Sequence, residues 1–356
     1  MHIVFLKDFM REGRGAEAAV ADTASLLAGA GHAVTLATFQ DAATGLSFPP
    51  APGVALLRTS AADVFDDLNN LLPDAVICAG TNETVALYAG LRRRGYEKFP
   101  WPVVHQCHTD PSAMFKWRHP VRNARIREAL AAVDAVQVLV PSSVEPFRME
   151  ARFGSTRAII AIGNALPARA AAGAPPTKEK LVLYPAAINK SKRPELAVRA
   201  FGLLAADFPE WRLAICGTGK GSARAALAKL AARSAPAGRI ELPGYVKNLP
   251  DYYARAAFVA FPSASEGLPM TIIEAMDNRL PVIGCRGAPG VDGLVKNGLN
   301  GLLAKPDPHQ FASAMRAMME DPVLRARLGD GAHDFVNARY SRGTVLAQWV
   351  ELLESL

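Results

Sequence analysis

Phe261-Pro262-Ser263-Ala264-Ser265-Glu266-Gly267-Leu268-Pro269-Met270-Thr271-Ile272-Ile273-Glu274-Ala275-Met276 is the stretch from which the architecture can be read. It closes an apolar run at 257–261, passes through a turn of small residues, and opens a helix with Pro269 in its first turn. A strand that turns tightly into a helix is half of a βα unit, and the same rhythm extends outward on both sides. Apolar runs fall at 2–6, 33–38, 54–58, 75–79, 102–107, 135–140 and 157–162, then at 181–186, 212–216, 240–244, 257–261, 281–285 and 301–304. Most do not alternate, as expected of strands buried on both faces of a parallel sheet. Helical patterns lie between them, at 15–30, 82–94, 142–152, 192–207 and 269–278. The pattern predicts an α/β protein built on doubly wound parallel sheets.

The rhythm breaks once, at 168–180 (ARAAAGAPPTKEK), where Ala, Pro, Gly and charge replace any periodic apolar face. This reads as a linker. It divides the 356 residues into nearly equal halves of six or seven strands, a length that suits two domains rather than one core. Two such open sheets are expected to bind ligand at the carboxyl ends of their strands, around a common cleft. The last stretch, 342–356, reads as an amphipathic helix with no strand after it.

Composition excludes several classes. With 50% hydrophobic and 21% charged residues the chain is not disordered. No apolar run approaches the ~18 residues of a transmembrane helix, and the N-terminus, Met1-His2-Ile3-Val4-Phe5-Leu6, lacks the basic start of a signal peptide. Cys78, Cys107, Cys216 and Cys285 form no CxxC pair and sit at or near the ends of apolar runs. They read as buried thiols of a reducing cytoplasm rather than disulfides or zinc ligands. No histidine, cysteine or carboxylate spacing suggests a metal site. The net charge is +7, and residues 91–127 alone hold nine basic and two acidic residues. There Arg92-Arg93-Arg94, Lys116, Arg118, Arg122, Arg125 and Arg127 interleave with Trp101, Phe115 and Trp117. A cationic, aromatic surface suits an anionic membrane or acceptor; a solvated face and nucleic acid are the competing readings, the last without any nucleic-acid motif.

The chemistry concentrates in the opening stretch. Free amides at the start of the 269–278 helix can hold an anion. Glu266 in the turn and Glu274 in the helix would set two carboxylates at different depths along a bound ligand, where each can accept strong hydrogen bonds from sugar hydroxyls. The stretch resembles the E-x7-E signature of the family-4 retaining glycosyltransferases of GT-B fold. Four further pieces resemble that family in order: Gly13-Arg14-Gly15-Ala16-Glu17 with the following helix and Gly31-His32-Ala33-Val34-Thr35; Lys192-Arg193-Pro194-Glu195-Leu196; Gly244-Tyr245-Val246; and Asn297-Gly298-Leu299-Asn300-Gly301.

The resemblance implies two Rossmann-like domains in GT-B arrangement. These would be an acceptor-side domain over 1–170, a nucleotide-sugar-binding domain over 171–340, and a helix over 341–356 that packs back on the first. It implies sugar transfer from a nucleotide-diphosphate sugar, UDP favoured, to an acceptor hydroxyl of a glycan, glycolipid or lipid-linked intermediate of cell-envelope polysaccharide. No cofactor and no metal are implied, and the reaction would occur in the cytoplasm, with peripheral contact at the inner membrane face as one option. Lys192, Glu266 and His108 are the implied catalytic residues. Gly13, Gly15, Lys190, Gly217, Val246, Gly267, Leu268 and Glu274 are the implied donor-binding residues. Glu274 would take the ribose, Glu266 and the amides of Gly267 and Leu268 the sugar, and Lys192 with the Gly13–Gly15 loop the diphosphate. His108 follows the strand at 102–107, where the acceptor is expected near the basic stretch; His105 is expected to point into the sheet and Asn164 to be structural. Three positions depart from the family pattern: Ala187 replaces an arginine clamp, Arg279 a glycine, and Gly293 a glutamate. Lys190 could replace the missing charge if it lies on an extended segment beside Lys192. Ala187 and Arg279 suit an alternative, a non-catalytic nucleotide-sugar-binding partner of another transferase. A sugar phosphorylase or nucleotide-sugar epimerase fits Lys192 and the two glutamates less well.

Overall fold

The computed structural model describes residues 1–8, 10, 15–40, 51–115, 119–167 and 178–356. Gly13, the basic-stretch residues Lys116, Trp117 and Arg118, and most of the linker lie outside the described residues. The chain divides into two compact units: Met1–Ala165 with Arg342–Leu356, and Leu166–Ser341.

The first unit holds seven parallel strands: β1 (His2–Lys7), β2 (Ala33–Thr38), β3 (Val54–Arg58), β4 (Ala75–Cys78), β5 (Val103–Cys107), β6 (Ala135–Val138) and β7 (Ala158–Ala161), in the order β3-β2-β1-β4-β5-β6-β7. The helices between them are α1 (Gly15–Gly29), α2 (Val64–Leu71), α3 (Thr81–Arg93), α4 (Pro111–Met114), α5 (Pro120–Ala131) and α6 (Val144–Ala151). The second unit holds β8 (Leu181–Tyr184), β9 (Arg212–Cys216), β10 (Ile240–Gly244), β11 (Phe258–Phe261), β12 (Val282–Cys285) and β13 (Gly301–Ala304), in the order β10-β9-β8-β11-β12-β13. Its helices are α7 (Pro194–Gly202), α8 (Gly221–Ser234), α9 (Leu249–Arg255), α10 (Met270–Asp277), α11 (Pro289–Leu294), α12 (Pro308–Glu320) and α13 (Pro322–Tyr340). The final helix, α14 (Arg342–Glu354), belongs to the first unit.

The inner apolar runs become strands because both sheet faces are covered there. In β1, Ile3 and Phe5 enter one core with α1 and α14, while Val4 and Leu6 enter the other with Phe65, Leu87 and Ile126 from α2, α3 and α5. A period-2 chain buried on both sides has no polar face to alternate with. Trp349 anchors α14, its ring edge-on to Phe5 at 6.5 Å, and Arg342 pairs with Asp22 of α1 at 2.7 Å. In the second unit Trp211 and Phe258 pack 5.7 Å apart under the sheet. The four cysteines are buried free thiols. Arg279, which stands where the resembled family has glycine, adopts a left-handed conformation (φ 55°) and pairs with Asp330 at 2.5 Å.

In both sheets the chain order reverses beside the first strand: β1 lies between β2 and β4, and β8 between β9 and β11. At such a switch point the loops leaving two neighbouring strands run to opposite sides, and a crevice opens at the strands' carboxyl ends.

Candidate functional site

At the switch point of the second unit, β8 leads into a turn and then α7, while β11 leads through 262–269 into α10. The turn is closed by Lys192 N–H donating to the Asn189 carbonyl at 3.2 Å and to Asn189 Oδ1 at 3.0 Å. This differs from the extended segment expected for Lys190–Lys192: the chain is bent there, so the two lysines do not share a strand face, and Lys190 is exposed. Lys192 Nζ forms an ion pair with Glu266 Oε1, and it lies 5.7 Å from the Phe261 ring. The Lys192 side chain is 25% exposed and that of Glu266 9%. Backbone ties hold the two loops together: Ala264 N–H donates to Ser191 O at 2.8 Å, and Ser263 Oγ to the same carbonyl at 3.3 Å. Glu266 does not cap α10, whose N-cap is Pro269 without a side-chain hydrogen bond. Its carboxylate is therefore spent on Lys192 rather than on the helix.

Glu274 lies in the second turn of α10, half-buried, and accepts from the Tyr253 hydroxyl at 3.0 Å. Burial pushes its carboxyl up, with the Tyr253 hydrogen bond pulling back. Gly267 is half-buried and Leu268 buried. Gly290 N–H donates to the Glu266 carbonyl at 3.1 Å, and a Cβ at Gly290 would lie 2.4 Å from the Gly267 carbonyl oxygen. A glycine on α11 thus fixes the backbone that presents Glu266. Gly217 is needed for packing: a Cβ there would lie 2.0 Å from Ala186 O. Val246 is half-buried, two residues beyond Gly244 (φ 83°). Ala187 is exposed, and its carbonyl accepts from Tyr184 Oη at 3.3 Å.

The switch point of the first unit opens into a cavity of about 550 Å³ lined by Gly15, Lys7, Glu83 and His108 among others. Lys7, the last residue of β1, pairs with Asp8 and, at 2.5 Å, with Glu83 in the first turn of α3. Glu83 Oε1 also accepts from Asp8 N–H at 3.0 Å. Burial works against the Lys7 ammonium, yet Glu83 and Asp8 together hold it above the ordinary lysine range; burial likewise pushes the Glu83 carboxyl up against the pull of Lys7. Both ring nitrogens of His108 are buried without a hydrogen-bond partner. Burial, then the charge of Lys7, push its pKa down to about 3, so the ring is neutral at pH 7. His105 faces into the sheet as expected, its Nδ1 2.7 Å from Thr84 Oγ1, with a pKa lowered to about 3 by burial. Asn164 is buried. A Cβ at Gly15 would meet no atom within 4 Å. Glu17, quoted only as part of the glycine loop, is buried with Oε2 unpartnered on the same cavity.

The described residues of the basic stretch do not form one surface. Arg92 and Arg93 end α3 and Arg94 follows it; the helix starts at the carboxyl end of β4, so about 20 Å of helix separates them from the His108 cavity. Arg94 pairs there with Asp66, and Arg93 donates to Ala62 O at 2.7 Å. Arg122 and Arg125 instead stand exposed in the first turns of α5. Trp101 and Phe115 are core residues, not surface aromatics. Arg122 lines the His108 cavity, whereas Arg92–Arg94 lie away from it at the far end of α3.

The groups that sequence reasoning missed are Lys7, Asp8, Glu83 and Tyr253. A lysine closing an otherwise apolar strand was a visible signal; its partner, 76 residues on, was not. Among the described residues no group of three His, Cys, Asp or Glu side chains could hold a metal, and no helix is long and apolar enough to cross a membrane.

The structure of Anabaena HepE in complex with UDP aligns over 100% of both chains with a TM-score of 0.82 at 17% identity, and HepE with UDP-glucose does so at 0.80 and 18%. The fold, with a ligand-type switch point in each sheet, is GT-B. Residues 168–335 match the model of the glycosyl transferases group 1 family. The chain is 28% identical over 331 residues to a D-inositol 3-phosphate glycosyltransferase of Streptomyces avermitilis, covering 79% of this chain and 70% of that one. It is also 28% identical over 230 residues to an exopolysaccharide phosphotransferase of Streptomyces coelicolor, covering 63% of this chain but only 24% of that much longer protein.

Proposed function

We propose that the chain transfers a sugar from a nucleotide-diphosphate sugar, with UDP the favoured carrier, to an acceptor hydroxyl, retaining anomeric configuration and without a metal. The observation that carries this reading is the Lys192–Glu266 pair at the second unit's switch point, with Glu274 in the helix that follows. Lys192 is placed to bind the diphosphate and to stabilise the charge that builds on it as the C1–O bond breaks. Glu266 and the amides of Gly267 and Leu268 hold the sugar hydroxyls, and Glu274 accepts from the ribose. The acceptor oxygen bonds to C1 while its proton passes to an oxygen of the leaving phosphate, so no dedicated base is required. His108, neutral and with both ring nitrogens unpartnered, supplies one donor and one acceptor for a hydroxylated ligand in the first unit, with Gly15 leaving room for its approach. That HepE is seen with UDP and UDP-glucose supports a uridine carrier.

The acceptor is read as a glycan, glycolipid or lipid-linked intermediate. Arg122 and Arg125, with Val121 exposed between Pro120 and Arg122, are the groups that would meet an anionic membrane. Nucleotide release from UDP-, GDP- and ADP-sugars, with and without acceptor extracts, tests the reading. Turnover with one carrier and an α-linked product from an α-linked donor supports it. Tight nucleotide-sugar binding with no release under any condition would instead favour the partner-subunit alternative. Activity lost to EDTA and restored by a divalent ion would reject metal independence.

A further inference from the structure

The carboxylate of Glu274 is aimed by a group on another helix. Tyr253 stands in α9, 2% exposed, with its ring in the core below the switch point. Its hydroxyl donates to Glu274 Oε2 at 3.0 Å and lies 3.3 Å from the carbonyl of Thr271, one turn earlier in α10. A phenol has one proton, and the charged acceptor at the shorter distance is the stronger claim on it. Burial, reinforced by the Glu274 charge, holds the phenol well above its ordinary value, so it remains a donor across the working range. The two helices are tied again at Lys178, whose Nζ donates to the Tyr253 carbonyl at 3.0 Å and lies 3.5 Å from the Asn278 carbonyl beyond the end of α10. Packing thus fixes the ring, and the ring fixes one oxygen of the carboxylate.

We propose that Tyr253 is a positioning residue for nucleotide recognition: its hydroxyl holds Oε2 of Glu274 so that Oε1 is presented to the ribose hydroxyls. The inference rests on the reading of Glu274 as the ribose carboxylate. A phenylalanine would fill the same core volume, so the hydroxyl is the one feature of this side chain that packing does not require. A carboxylate that is half out of water needs a donor on one oxygen to keep a single orientation and its charge.

The test is a double-mutant cycle on the full-length chain, read by calorimetry with whichever of UDP, GDP and ADP the wild-type protein binds best. Tyr253→Phe is expected to weaken binding about tenfold, the scale of one hydrogen bond to a charged group. In a Glu274→Ala background, where no carboxylate remains to be aimed, the same substitution should change affinity less than about twofold. Replacing Tyr253 with 4-aminophenylalanine, which keeps a donor at the ring tip, should restore most of the affinity even if the phenylalanine variant folds poorly. Equal losses in both backgrounds would overturn the inference, because Tyr253 would then act by packing alone. So would full affinity in Tyr253→Phe. Glu274→Ala without any loss would reject the donor-site reading itself, and the positioning role with it.

Discussion

Lys192 cannot be removed without two separable consequences, and their sizes follow from its surroundings. It neutralises Glu266, whose side chain is only 9% exposed, and it stands near the Phe261 ring. Leaving a fully buried carboxylate without its partner costs about 3–5 kcal/mol. Lys192 is a quarter exposed, so solvent screening reduces the expected loss to about 1–3 kcal/mol, the contact with Phe261 included. For a unit of this size that corresponds to a melting shift of roughly 2–12 °C. The consequence for rate that follows from the proposed function is larger: a cation aimed at charge developing on a leaving group is worth about 10²–10³. Lys192→Gln should therefore melt earlier and release nucleotide from the donor some hundredfold more slowly. The double variant Lys192→Gln/Glu266→Gln separates the effects, because it removes the stranded charge along with the cation. It should regain wild-type stability to within about 1 kcal/mol and regain none of the rate. Scanning calorimetry and nucleotide release, run on the three variants, decide the matter. A Lys192→Gln protein with normal nucleotide affinity and normal release would refute the placement of the diphosphate, whatever its melting temperature.

Three further outcomes are expected. His105 and His108 are both held near pKa 3 by burial, whereas an unfolded histidine titrates near 6.5; the folded chain therefore binds fewer protons between those values, and each histidine withdraws stability as the pH falls through that window. From pH 6.5 to 5 the loss is about 2 kcal/mol per histidine, so urea denaturation of His105→Gln should show a correspondingly shallower pH slope than the wild type, and an unchanged slope would contradict a buried neutral ring. Gly290→Ala would press a methyl group onto the backbone of Glu266 and Gly267; it should weaken intact nucleotide-sugar binding more than nucleotide binding, and equal calorimetric effects on both would remove Glu266 from the sugar subsite. Replacing Arg122 and Arg125 with Gln should lower co-sedimentation with anionic vesicles, by about 1 kcal/mol for each arginine near the surface, while Arg92→Gln and Arg93→Gln should not; no preference of the wild-type protein for anionic over neutral vesicles would leave a solvated face.

The inner strands were legible because burial on both faces writes itself into sequence as runs made mostly of Val, Ile, Leu and Ala; the edge strands β3, β7 and β10 are far less buried, yet each of the thirteen apolar runs coincides with a strand. The helices were less sharply marked. The pattern at 192–207 predicts a helix that begins at Lys192, yet α7 starts at Pro194, after a left-handed Arg193. Proline at the first helical position sets that start, and the two residues before it belong to the turn that carries Lys192. The same turn explains why the side chain of Lys190 was misplaced: an i, i+2 argument holds on a strand and fails six residues past its end, in the turn. Long-range pairs were out of reach for a different reason. Lys7 with Glu83, and Tyr253 with Glu274, meet only because the order of strands brings their loops together, and no local pattern carries that information. The basic stretch misled because charge was counted along the chain, whereas a βα unit sends the two ends of its helix to opposite edges of the sheet.

The two switch points are built alike and yet suit different ligands. In each, a lysine at the end of the first strand or in the turn after it meets a glutamate from the loop or helix after the fourth strand in chain order: Lys7 with Glu83, and Lys192 with Glu266. The first pair is the drier, with side chains 10% and 2% exposed, and Asp8 adds a second carboxylate to the same ammonium. Three charges of which two are negative offer nothing to a diphosphate, and loosening that lysine would strand carboxylates in a dry site. Such a network serves better to fix the β1 and α3 loops and to accept from hydroxyl groups. Lys192 has one carboxylate partner, more solvent, and the cationic residues Lys190 and Arg193 within two positions along the chain. An incoming diphosphate can take up Lys192 while the sugar's hydroxyls compensate Glu266, so neither charge is left unpaired as the ligand enters. Under the proposed function, this charge balance favours the second unit for the anionic end of the donor.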